Sequence, residues 1–542
     1  MRRSLWHDMR LIPTALVAWG ASAILVTVRP GPRALMVCAA ASLLCAAALL
    51  SRVVGQRRRW ARVPCGGIKG HCVAALLAVA VIAGLGVWRL DPWLVQLRAN
   101  PPADPVTVIA RVVTEPRHVG GIRAGTKTSW WARIDVAAAS TDQRGRSASV
   151  LRASVPLTVF GTGPTPAWLA WVECTGTFSV NPGGATDSLR ASTVRVVRGP
   201  PSWTRWSNIA RAATRQASAG LPDDARALVP GVAIGDTSEV SDQLSADMKR
   251  AGLTHLTAVS GAHFAILASM LWSVLGFARA GPRVRALAVV VLIAGLVILV
   301  RPEASVVRAA GMALVSVVGM LARRRSTPTP ALATTTLVLL LADPTLAVSI
   351  GFALSALATF GLVHAAPVIE ERCHLLPTRL RSEVAVALAA YLVCAPVVIL
   401  IAPSLYPWAV LANVAAAPLV VPLTLLSAAV VALSPFVPQI AVGLAWLAQW
   451  PALWIAWVAR ATRYLPWAEV RWLGGVAGML LLAVVAVGCF LIVRQAPAVK
   501  WYTQAYVMPL LRWYGGESGK RVCQQPRSER SGRHARSARL NR

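Results

Sequence analysis

One stretch of this sequence concentrates polar chemistry inside apolar surroundings: Gly252-Leu253-Thr254-His255-Leu256-Thr257-Ala258-Val259-Ser260-Gly261-Ala262-His263. Two histidines flank a Ser-Gly step at which one helix should stop and another begin. Ser260 is a good N-cap type, and Gly261 permits close backbone approach. His263 would then sit in the first turn of a helix starting at membrane depth. Such a start exposes unpaired amides and a partial positive charge, a ready site for an anion or phosphate. A packing histidine at a helix cap is the simpler reading of the same residues. A hydrolase reading, Ser260 acting with His255 or His263, lacks an acidic residue nearby to orient the base.

Three further polar elements interrupt apolar sequence downstream. Arg308 follows Glu303, a candidate ion-pair partner, although an arginine at a span's end can also snorkel. Asp343-Pro344 lies in a long apolar block and precedes Gly351-Phe352-Ala353-Leu354-Ser355. Pro344 cannot continue helical hydrogen bonding, so a kink or break beside the carboxylate is predicted. Asn413 stands in apolar surroundings before Pro418. Ionisable residues in membrane spans are expensive, which makes each of them a site candidate.

The elements that must position them are membrane helices. Of 542 residues, 56% are hydrophobic and only 14% charged, with a mean hydropathy of +0.57. A soluble domain carries about a quarter charged residues. The apolar blocks run to about 17–25 residues, the length that crosses a bilayer. Three come first, near Leu11–Val28, Ala34–Leu50 and Cys72–Trp88. Nine follow, near Val259–Phe277, Leu287–Val300, Val306–Leu321, Ala331–Ile350, Phe352–Val368, Val384–Ile401, Trp408–Leu433, Ile440–Val458 and Leu473–Ile492. Basic loops at Arg52 to Arg62, Arg279 to Arg285, Arg323 to Arg325 and Arg372 to Arg381 all fall on one side if residues 89–200 lie outside. By the positive-inside rule that side is the cytoplasm, which predicts about twelve crossings of the cytoplasmic membrane with both termini inside.

The net charge of +33 is nearly all arginine and has a topogenic explanation, so it is weak evidence for nucleic acid. The nine cysteines form no CxxC pair, and no disulfide framework, metal site or cofactor is implied.

Residues 89–200 differ in kind. Val106, Val108, Ala110 and Val112 alternate with other residues, as do Trp130, Ala132, Ile134 and Val136, with turn residues between such runs. Four or five short strands predict a small antiparallel barrel or sandwich. Between 104 and 198, eleven Arg/Lys oppose six Asp/Glu. A basic OB-like barrel with exposed aromatics is a common single-strand binder, and Trp130 or Trp131 could stack bases. Only one of that adjacent pair can face the core. The expected organisation is a three-span segment (1–88), an extracytoplasmic OB-like domain (89–200), amphipathic and polar linker helices (201–255), a transmembrane domain (256–493) and a basic cytoplasmic tail (494–542). In the linker, Trp203, Trp206, Ile209 and Ala213 share one helix side.

The order of the polar elements resembles the ComEC family of DNA-internalization competence proteins. The family signature GLxHLxAxSGxH is matched by Gly252 to His263, and an upstream GD by Gly235-Asp236. Later motifs are matched by Arg308-Ala309 with Met312, by Asp343-Pro344 with Gly351 to Gly361, and by Asn413 with Pro418. The resemblance implies a channel that takes one DNA strand across the membrane, with an outer DNA receptor and a cytoplasmic helicase-like ATPase as partners. It makes His255, Ser260, Gly261, His263 and Arg308 the anion path, and Asp236, Asp343, Asn413 and Pro418 structural polar positions. Assembly as a homo-oligomer stays open. Many relatives end in a metallo-β-lactamase-like domain. None of the eight histidines here forms an HxHxDH cluster and the tail is short, so the expectation is a conduit without nuclease activity. A membrane transporter of another anion, such as a cell-wall or polysaccharide precursor, is the competing reading.

Overall fold

The computed structural model describes residues 11–28, 32–57, 66–89, 92–102, 104–119, 129–140, 149–181, 186–257, 259–302, 304–321 and 328–495. Glu303, the Arg323 to Arg325 loop and the basic tail beyond residue 495 lie outside them. The chain is mostly helical, with one all-β region between its first and later apolar helices.

Three apolar helices, α1 (Ile12–Val28), α2 (Pro32–Arg57) and α3 (Gly66–Arg89), precede the short α4 (Pro92–Ala99). After the strands come α5 (Arg205–Ser218), α6 (Asp223–Ile234) and α7 (Asp242–Arg250). The apolar helices then resume as α8 (Gly261–Phe277), α9 (Pro282–Val300), α10 (Ala304–Leu321), α11 (Pro328–Ala342), α12 (Ile350–His364), α13 (Ala366–Arg372), α14 (Thr378–Val398), α15 (Ala409–Leu433), α16 (Pro438–Thr462) and α17 (Gly475–Gln495). Among the described residues five helices are long and apolar enough to cross a bilayer, in α9, α14, α15, α16 and α17. The pair α12 and α13, bent by 42°, makes a sixth if taken as one span. The other apolar blocks are shorter helices, so length and composition support five or six of the twelve crossings read from the sequence.

The block expected over Ala331–Ile350 is cut short. Helix α11 ends at Ala342, and a 3-10 turn, Pro344–Val348, follows. Pro344 has no N–H to give the preceding turn, and the Asp343 carboxylate accepts from the Thr345 amide (3.1 Å) and hydroxyl (2.6 Å) instead. Pro418 has no such effect: α15 runs through Pro418 and Pro422, and the Trp454 indole donates to the Ala415 carbonyl (3.0 Å) beside the proline.

Six strands, β1 (Val106–Val112), β2 (Arg117–Val119), β3 (Ser129–Ser140), β4 (Ser149–Thr162), β5 (Trp171–Ser179) and β6 (Asp187–Arg198), form one sheet. β1 pairs with both β3 and β5, so five strands close into a ring in the order β1-β5-β6-β4-β3-β1. Every pairing in that ring is antiparallel except β4 with β6. Alternate residues fill its core, among them Val108, Ala110, Trp130, Ala132, Ile134, Leu157, Val159, Val172 and Leu189. Cys174 lies in that core, where burial, with Glu173 adding to it, pushes its thiol up to about 12.

Candidate functional site

The two-histidine segment is built around helix ends. Helix α7 closes with Gly252 at φ +65, while the Gly252 amide donates to Lys249 O (3.1 Å) and the Leu253 amide to Met248 O (2.8 Å). That is a Schellman closure, with Met248 and Leu253 both fully buried across it. A Cβ at Gly252 would stand 2.8 Å from the Ala409 Cβ and 3.4 Å from the Asn413 amide nitrogen. Asn413 Nδ2 donates to Ala409 O at 2.8 Å within its own helix and reaches Gly252 O at 3.4 Å. The fourth polar element therefore stands at the exit of α7. His255, in the 3-10 turn Thr254–Leu256, is exposed and its Nδ1 lies 3.2 Å from Gly252 O.

Ser260 then starts α8. Its backbone amide donates to His263 Nδ1 (2.8 Å), and its hydroxyl lies 3.2 Å from the same nitrogen. Because Nδ1 accepts from a backbone donor, the ring proton is on Nε2. Nε2 is buried and has no hydrogen-bond partner among the described residues, in a side chain 2% exposed. The same arrangement argues against a Ser-His nucleophile, since the nitrogen facing Ser260 is already occupied.

Arg308, on α10, comes to this helix start. A Cβ added at Gly261 would sit 3.5 Å from its Nη2. The guanidinium is 4% exposed. Its Nε donates to Ser355 Oγ (2.8 Å), and its Nη1 reaches Thr359 Oγ1 and Met312 Sδ (3.0 Å each). Nη2 also donates to the Ser355 hydroxyl. These partners are two hydroxyls and a thioether, and no carboxylate of the described residues lies within ion-pair distance. The motifs containing Arg308, Ser355 and the Ser-Gly step thus meet at one place, with donors gathered and no anion of the described residues among them. Ser355 belonged to a quoted motif; Thr359, one turn further along α12, carried no signal except that spacing.

Other expected positions lie elsewhere. Asp343 faces the barrel: Arg133 Nη2, from β3, reaches its carboxylate at 3.5 Å and Thr345 Oγ1 at 3.0 Å. Asp236 follows the left-handed Gly235 at the end of α6 and binds Arg215 Nη1 (3.0 Å) and the Ser238 amide (3.1 Å) and hydroxyl (2.7 Å). Burial alone would raise its pKa, but the Ser238 bonds and the cations of Arg211 and Arg215 hold it below the usual 3.8. Trp130 is 1% exposed, in the barrel core, and is removed as a base-stacking surface; Trp131 is half-buried on the outer face.

Sequence reasoning missed the junction between barrel and membrane helices. Arg211, 1% exposed on α5, donates to Ile234 O (2.6 Å), Leu299 O (3.1 Å) and Glu115 Oε2 (2.7 Å). Arg301, just after α9, binds Asn208 Oδ1 (3.0 Å), and its guanidinium carbon stands 4.9 Å from the Trp168 ring centre. Neither arginine stands out in a chain with so many.

Comparison with known proteins gives the lineage. The model of the competence protein family matches residues 232–497. ComE operon protein 3 of Bacillus subtilis (strain 168) is 31% identical over 153 residues, 28% of this chain. That match spans 20% of the relative's length. No solved structure matches the chain. Residues 232–497, the stretch that holds both histidines, Arg308 and Asn413, carry the match to the competence protein family.

Proposed function

We propose that this protein is a channel of the cytoplasmic membrane through which single-stranded DNA enters during natural transformation, with no enzymatic step in this chain. The observation that carries the reading is Arg308, buried with no carboxylate of the described residues within ion-pair distance, next to the start of α8 and the His263 N–H that has no partner among those residues. Taking an unneutralised cation out of water costs several kcal/mol on the order of magnitude of Born penalties. An anion that visits the site offsets that cost while it is there. Phosphate oxygens suit it, since they accept from a guanidinium, an imidazole N–H and helix-start amides together. A few such donors hold a strand's charge without trapping it, which conduction requires.

The barrel supplies the outer surface in this reading. Its strand order, with the single parallel pairing, supports an OB-type reading of the barrel. Trp131 on β3, Phe160 on β4 and Arg190 on β6 are register partners in a row across the outer face. Phe160 is 42% exposed and Arg190 is exposed. Two aromatics and a guanidinium side by side form a stacking surface for bases. Arg133, two residues from Trp131 on the same face, reaches Asp343, so the row stands beside the membrane helices. In this proposal residues 89–200 receive the strand, residues 256–493 conduct it across about twelve crossings with both termini cytoplasmic, and an outer DNA receptor and a helicase-like ATPase act on either side.

The test is uptake of labelled DNA by a deletion strain carrying variants. Arg308→Gln and His263→Ala are expected to abolish uptake while the protein accumulates at its normal level; normal transformation by both would sink the reading. In the full chain, Phe160→Ala with Arg190→Gln is expected to weaken salt-sensitive binding of single strands. If the wild-type chain shows no such binding while Arg308 remains essential, transport of a different anion takes its place.

A further inference from the structure

Helix α5 is inside out. Its buried side carries Ser207, Arg211, Thr214 and Ser218, each at most 1% exposed. Its outward side, with the turn before it, carries Trp203 (50% exposed), Trp206 (45%) and Ile209 (52%), spaced three residues apart. Most of the polar side is engaged: Ser207 Oγ donates to Thr204 O (2.9 Å), Arg211 to Ile234, Leu299 and Glu115, and Thr214 Oγ1 to Ala210 O (2.7 Å), while Ser218 Oγ and Arg211 Nε have no partner among the described residues. A helix packed this way in water would have its faces reversed.

Its position fixes what the apolar side meets. Arg211 binds the carbonyl of Leu299, in the last turn of the membrane-length helix α9, and Asn208 binds Arg301, the residue directly after that helix. Glu115 and Trp168 of the barrel meet the same arginines. Helix α5 therefore lies where an apolar span ends and a polar domain begins, the depth at which tryptophan is favoured. Thr214 Oγ1 also lies 3.4 Å from Ser434 Oγ, beside a turn that exposes Phe436 (80%) and Ile440 (54%). Arg198 and Arg205, both exposed, flank the apolar side with positive charge.

We propose that α5 is an interfacial helix, lying in the plane of one leaflet, the outer one in the topology proposed above, with Trp203, Trp206 and Ile209 among the upper acyl chains and Arg198 and Arg205 at anionic phospholipid headgroups. Such a helix holds the barrel against the bilayer through its polar side and the lipid through its apolar side.

The experiment places an environment-sensitive fluorescent amino acid at Ile209 in the full chain, reconstituted in vesicles of phosphatidylethanolamine and phosphatidylglycerol. Lipids carrying a nitroxide near the glycerol end of the acyl chain are expected to quench it more than lipids labelled near the methyl end. Aqueous iodide is expected to quench it several-fold less than the same probe at the exposed Thr177 of β5. A second probe at Ala212, exposed on the same side, guards against a packing defect at 209. Absence of lipid quenching at both positions overturns the proposal, whether iodide reaches them or another protein surface covers them.

Discussion

A guanidinium whose partners among the described residues are hydroxyls and a thioether makes a poor structural element, because an apolar side chain of similar volume would fill the same space without the desolvation cost. Arg308→Met is therefore expected to leave the thermal midpoint unchanged or raised, and to abolish uptake. A structural arginine would show the opposite order, and thermal unfolding in detergent beside an uptake assay separates the two. Ser355→Ala leaves Arg308 donors unshared and is expected to lower stability by about 1–3 kcal/mol. Asp236 is expected to respond to acid in a definite direction. Its folded pKa lies below 3.8, so its contribution is present above the unfolded value and is lost as pH falls through the folded one. Thermal midpoints measured from pH 6 down to pH 3 should show a steeper fall for the wild type than for Asp236→Asn. Arg308 and His263 were visible in sequence as ionisable residues among apolar ones. Their surroundings were not, because Ser355 and Thr359 stand 47 and 51 residues from Arg308 and only the packing of α10 against α12 unites them.

Helix ends decide more here than helix interiors. Gly252 combines a positive φ with a close approach to Ala409. Gly252→Ala is expected to incur about 1–2 kcal/mol of left-handed strain and to move the two-histidine segment, with loss of uptake. At Gly220 an added Cβ meets nothing within 4 Å, so Gly220→Ala should leave uptake and accumulation unchanged in the same assay. The Ser260 cap and the break at Pro344 are local events written in consecutive residues, which is why the sequence exposes them. The number of crossings is less legible, since hydropathy does not say whether a short apolar helix spans. The strand runs were legible by alternation, but ring closure was not: it depends on β1 pairing with both β3 and β5. The choice between Trp130 and Trp131 turned on the same tertiary fact, which residue parity faces the core.

Among the described residues, charges join the barrel to the helices at two places, Arg133 with Asp343 and Glu115 with Arg211 and Arg301. Reversing one partner, Arg133→Glu, is expected to reduce uptake, and adding Asp343→Arg should restore part of it. A double-mutant cycle on uptake measures the coupling, and additive losses would show that the contact does not link the two parts. A different long-range contact bears on how the protein is made. The Trp19 indole, on the first helix, donates to Ala347 O in the 3-10 turn, 328 residues later in the chain, at 2.9 Å. The same ring lies 5.0 Å from Phe352. At roughly 5–20 residues synthesised per second, that separation of 328 residues means α1 is made roughly 16–65 s before this partner exists. During biogenesis, then, α1 can meet α3 early, at Ala18 with Ala78 and Ile82, but reaches its contacts with Ala347 and Phe352 only after that interval, in which a chaperone or the insertion machinery can hold it.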